Sequence, residues 1–144
     1  MEINELPDAL VFVSDNEKMF FVQGRASAEA CVLLLVGDAL ALGVSEVGAS
    51  HYGDWWVVGS PEDWLETDVC SVESLFSRLI PLPQAGVNST RSEVVVRAFA
   101  AAVSVWTPTG LRSISGEVAP ESLGVAVERA HKNWVRAVLF RFSP

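Results

Sequence analysis

The sequence predicts an α+β fold in a single domain spanning residues 1–144, with a mostly antiparallel sheet and helices packed on one of its faces. Three observations carry this prediction. Short apolar runs separated by turn residues fill the first third of the chain. Capping signals and helical periodicity dominate the second half. One apolar run returns close to the C-terminus. Strands first, helices later and one late strand suit a sheet built largely from the N-terminal half. Helices of the C-terminal half then cover it, and a C-terminal strand returns to it.

The elements follow in chain order. Leu10–Ser14 and Met19–Gln23 are apolar runs around the polar turn Asp15-Asn16-Glu17-Lys18, the pattern of a hairpin. Residues 27–43 admit two readings. Ser27 can cap a helix whose start favours Glu29, and the Leu/Ala content helps it. Gly37-Asp38, in mid-run, favours a second hairpin instead, because a glycine weakens a helix by about 1 kcal/mol. Trp55-Trp56-Val57-Val58 is bulky and β-branched, which predicts a buried strand ended by Gly59. Ser60-Pro61-Glu62-Asp63 has the chemistry of a helix start.

Ser71 can cap a helix over Val72–Leu79, stopped by Pro81 and Pro83. Thr90-Arg91-Ser92-Glu93 has capping-box spacing and predicts a helix to about Val103. Pro108-Thr109-Gly110 marks a turn. Glu121–Lys132 predicts another helix, with Leu123, Val127 and Ala130 inward and Gly124 as its weak point. Val135–Phe142 is apolar on both faces, as a central strand would be.

Composition narrows the function. The chain has 144 residues, half of them hydrophobic and five of them Trp, enough for one full core. Cys31 and Cys70 read as buried free thiols, and no short-spaced Cys/His group suggests a metal. The acidic N-terminus lacks the basic start and apolar run of a secretory signal, and Ala30–Val36 is too short to span a bilayer. These features predict a cytoplasmic protein without membrane attachment. Net charge is −8, unevenly spread: residues 1–77 carry −12 and residues 78–144 carry +4. The first half would repel nucleic acid and attract a basic protein.

No catalytic centre is legible. His51 and His131 are the available imidazole bases, and each has a plain structural role in a loop or at a helix end. No Gly-rich phosphate loop occurs. The most distinctive stretch is Asp54 to Asp68, where Trp55, Trp56 and Trp64 sit among acids. Core packing and helix-start chemistry explain much of it. An acidic docking face with an aromatic anchor is the functional alternative. Asp54, Glu62, Asp63, Glu66 and Asp68 are the candidate acidic contacts. Trp55 is the candidate anchor, because it would point outward if Trp56 points into the core.

Two segments resemble small bacterial immunity proteins of polymorphic or contact-dependent toxin systems. One is Trp55-Trp56-Val57-Val58-Gly59-Ser60-Pro61-Glu62-Asp63-Trp64-Leu65. The other runs from Pro81 through Asn88-Ser89-Thr90-Arg91-Ser92-Glu93-Val94 to Ala98-Phe99-Ala100. The resemblance implies an α+β fold and tight inhibition of a cognate toxin, often a nuclease, with no reaction catalysed and no cofactor. A basic toxin cleft would complement the acidic surface. Two rival readings stand beside it. One is a small enzyme or ligand-binding domain with His51, Tyr52 and Arg91 around a pocket between sheet and helices. The other is an adaptor that homodimerises through a sheet edge.

Overall fold

The computed structural model describes residues 6 to 142, with side chains from Ala9 onward. Its helices are α1 (Leu6–Asp15), α2 (Glu17–Phe20), α3 (Ala28–Ala41), α4 (Val72–Leu75), α5 (Glu93–Phe99) and α6 (Glu121–Ala130). Its strands are β1 (Gly48–Tyr52), β2 (Trp55–Ser60), β3 (Ala102–Thr107), β4 (Gly110–Ser115) and β5 (Arg136–Arg141). The strands form one antiparallel sheet in the order β1-β2-β5-β3-β4. The α+β class and the antiparallel sheet are therefore as the sequence predicts, and β5 is the central strand.

Alternation along β5 explains why both faces of the sheet are covered. Val138 and Phe140 point into the larger core with Val58, Val103 and Val105, beneath α1, α3 and α5. Ala137 and Leu139 point the other way and meet Val57, Trp106, Trp134 and the Leu123 and Val127 side chains of α6. A strand apolar on both sides demands cover on both. So α6 takes one face alone, and the remaining helical layer, drawn from both halves of the chain, takes the other.

Several elements differ from their sequence reading. Leu10–Ser14 lies in helix α1, where Ala9 and Val13 turn one buried face inward, and Met19–Phe20 lie in the short helix α2. Residues 27–43 resolve to the helical alternative. Ser27 Oγ accepts the Ala30 N–H at 3.1 Å, and the buried positions Cys31, Leu35, Asp38 and Ala39 recur at helical spacing. Ser71 caps α4 as expected, but the helix stops at Leu75. The helix expected to run to Val103 ends at Phe99, and the apolar run that follows becomes β3. Tertiary packing decides these cases over local propensity. Three of the five strands consequently come from the second half of the chain.

Glycines mark two close approaches. Gly124 lets α6 settle against Leu111, 3.3 Å from where a Cβ would stand. At Gly59 a Cβ would lie 2.2 Å from the Trp134 ring, so the indole covers bare backbone there. Cys31 is buried, which pushes its thiol up to about 12 and leaves it unreactive. Among the described residues no helix is long and apolar enough to cross a membrane.

Candidate functional site: carboxylates at the end of the central strands

Strand β2 ends in Ser60, which is buried and joins two loops. Its Oγ donates to the Glu46 carbonyl at 2.7 Å and accepts the Glu62 N–H at 2.9 Å. The Glu62 carboxylate in turn accepts from the Ser45 N–H at 3.0 Å and the Ser45 hydroxyl at 2.7 Å. Those two hydrogen bonds hold the exposed Glu62 below its usual carboxylate range, the hydroxyl contributing most. Residues 61–66 do not form the helix that Ser60 and Pro61 suggest. Asp63 Oδ1 closes a turn by accepting the Leu65 and Glu66 N–H groups at 3.1 and 3.2 Å.

Asp63 also binds Arg136, the first residue of β5, through two parallel hydrogen bonds of 3.0 and 3.1 Å. The guanidinium is 8 % exposed, so its charge is satisfied from within the protein. Glu66 lies 3.8 Å from the same guanidinium, with its side chain 75 % exposed. Glu62, Asp63 and Glu66 thus lie on one turn where β2 ends and β5 begins, and the Glu46 backbone carbonyl is tied to the same corner by Ser60. Arg136 pairs closely with Asp63 and more loosely with Glu66.

The six predicted contact residues do not form one site. Glu62, Asp63 and Glu66 come together as described, but Asp63 is committed to Arg136 and to the turn. Asp54 is exposed in the turn between β1 and β2, at the opposite end of β2. A six-residue strand is about 20 Å long, so one partner side chain cannot span both ends. Trp55 is at that far end and is not free. It packs against the second core, and the Arg141 guanidinium lies 5.5 Å from its ring centroid. Trp55 and Trp56 do face opposite ways, but helices cover both faces, so neither is a bare anchor. Asp68 is exposed in the loop before α4.

The residues of the pocket reading are also dispersed. His51 stacks on Trp56 with ring centroids 4.2 Å apart. Tyr52 packs against the second core. Arg91 is buried in a two-bond ion pair with Glu93, at 2.8 and 3.1 Å, and donates to the Trp64 carbonyl at 3.2 Å. That pair fastens the start of α5 to the turn after β2. It also replaces the predicted capping box: Glu93 faces Arg91, and the Ser92 N–H is taken by Asp38 of α3 at 2.6 Å.

One approach of nucleophile and base was not legible in the sequence. Ser50 Oγ of β1 stands 3.1 Å from His131 Nε2, at the end of α6. His131 lies flat on Trp134, with centroids 3.6 Å apart, and its desolvation lowers its pKa. Among the described residues no third group orients the ring as nucleophilic catalysis requires. Nor do three or more His, Cys, Asp or Glu side chains gather there as a metal site. Compared with protein-family models, curated proteins and solved structures, the chain matches none.

Proposed function

We propose that this chain is a binding protein that neutralises a basic partner, in the manner of bacterial immunity proteins that inhibit a cognate toxin. The observation that carries this reading is the placement of Glu62 and Glu66. Both are exposed, and both sit on a turn that Asp63 clamps to the central strand through Arg136. Negative charge is thereby presented from a rigid platform. Preorganised carboxylates speed the encounter with a cationic surface more than they tighten the final complex. The uneven charge of the chain adds a longer-range attraction of the same sign.

The docking face consists of Glu62 and Glu66, with Asp63 as the clamp behind it. A toxin domain with a nuclease cleft would supply the matching cations, since such clefts attract polyphosphate. The protein acts in the cytoplasm and performs no reaction in this reading. The experiment is co-expression with the toxin-like product of an adjacent gene. Growth rescue and co-purification support the reading. Toxicity undiminished by the co-expressed chain overturns it.

A further inference from the structure

A groove opens on the helical face, between α1–α2, α3 and the segment from Leu79 to Val95, with a volume of about 430 Å³. Its walls are apolar: Phe12, Met19, Leu34, Leu79 and Val95. Met19 is 65 % exposed, so part of that wall faces water without cover. Asp38 and Ser92 also line the groove, and Asn88, Ser89 and Thr90 bring amide and hydroxyl groups to it. An apolar concavity of a few hundred Å³ with a few convergent polar groups is the usual form of a ligand site.

The polar centre is short of positive charge. Asp38 is only 6 % exposed, and among the described residues its carboxylate takes hydrogen bonds from Ser92 alone, from the N–H at 2.6 Å and the hydroxyl at 3.1 Å. A carboxylate has room for about four such bonds. Glu93, fully buried, adds a second negative charge that acts on Asp38, while the guanidinium of Arg91 is bonded on two nitrogens to Glu93. Burial, and then the charge of Glu93, push the Asp38 carboxyl up to about 7. A cation brought to Asp38 would favour its charged form against both effects.

We propose that this groove binds a ligand carrying a protonated amine or guanidinium on an apolar body, the cation meeting Asp38 and the body lying between Met19, Phe12 and Leu79. The chemistry is shared by a free amphiphilic amine and by a Lys or Arg side chain flanked by apolar residues. The inference stands apart from the docking face and survives if that reading fails.

The test is an NMR titration of the isotopically labelled chain with three isosteric probes: 4-phenylbutylamine, 4-phenyl-1-butanol and 4-phenylbutyrate. The amine is expected to shift the amides of Met19, Phe20, Asp38 and Asn88 to Ser92. It should bind roughly tenfold more tightly than the alcohol, as a charge-assisted contact implies, and the carboxylate should not bind. Asp38→Asn should reduce the amine to the affinity of the alcohol. In case that variant fails to fold, Met19→Ser, at an exposed position, should weaken amine and alcohol alike. A capped Phe-Lys-Phe peptide distinguishes the two sources of the ligand. Peptide binding at the same amides without free-amine binding assigns the groove to a protein side chain and keeps the proposal. Equal affinity for amine and alcohol, shifts confined to other amides, or no binding by amine or peptide overturns it.

Discussion

Arg136 holds Asp63 through two hydrogen bonds of 3.0 and 3.1 Å, across 73 positions of sequence. This pair sets the turn after β2 on the first residue of β5, and with it the directions of Glu62 and Glu66. Asp63→Asn keeps the size of the side chain but removes the charge and half of the acceptor geometry. We expect a loss of about 1.5–3 kcal/mol, the range for hydrogen bonds to charged groups. Urea denaturation should show a lower midpoint with an unchanged slope. An unchanged midpoint would mean that the clamp contributes nothing.

The Arg91–Glu93 pair is more deeply buried and should be more sensitive. Glu93 is fully buried and Arg91 is 4 % exposed. Glu93→Gln leaves the guanidinium uncompensated in the core, which should cost about 3–5 kcal/mol. The double variant Arg91→Met/Glu93→Leu should recover a large part of that loss, because neither member of the pair is then buried without the other. Thermal melts of both variants check this. A double variant as unstable as the single one would contradict it.

Asp38 makes stability depend on pH in a defined direction. Its carboxyl is raised from 3.8 to about 7 in the folded protein, first by burial and then by Glu93, against the favourable hydrogen bonds of Ser92 and the charge of Arg91. The unfolded chain therefore releases this proton at a lower pH than the folded chain. Between about pH 4 and 7 the folded state binds more protons, so stability falls as pH rises through that window. Three pK units correspond to an effect on the order of 4 kcal/mol. Relative to wild type, Asp38→Asn should become progressively more favourable from pH 4 to 7 in urea titrations. A stability difference independent of pH would refute the assignment.

Two glycines should respond oppositely to alanine. At Gly59 the new Cβ would meet the Trp134 ring at 2.2 Å, displacing an indole that covers the strand. Overpacking of that kind costs about 1–3 kcal/mol or more. Gly37 lies inside α3 with nothing within 4 Å of its Cβ position. Gly37→Ala should stabilise the protein by about 0.5–1 kcal/mol through helix propensity. Paired calorimetric scans test both signs.

Gly37 also shows how far the sequence reaches. Its turn chemistry argued for a hairpin over residues 27–43, yet one glycine is a small term against the burial of Cys31, Leu35 and Ala39 on a helix face. The end of α5 escaped for a related reason: an apolar run suits a helix or a strand, and only the slot beside β5 decides for β3. Val135–Phe142 was legible because a run apolar on both faces has few places to go. In the candidate site, the proximity of Glu62, Asp63 and Glu66 is local and readable. The commitment of Asp63 to Arg136 depends on strand order and is not. The separation of Asp54 from Glu62 follows from the length of β2. The groove at Asp38 unites α3 with a residue 54 positions away and carries no sequence signal.

If exposed carboxylates at the end of β2 steer a basic partner, stopped-flow association with the toxin-like partner at low and high salt reads that steering as a rate. Glu62→Lys/Glu66→Lys should slow association at least about tenfold at low ionic strength and flatten its salt dependence. Asp54→Lys, at the far end of the strand, should remain near wild type. A double variant that associates at the wild-type rate with the wild-type salt dependence would mean that these carboxylates do not steer the partner.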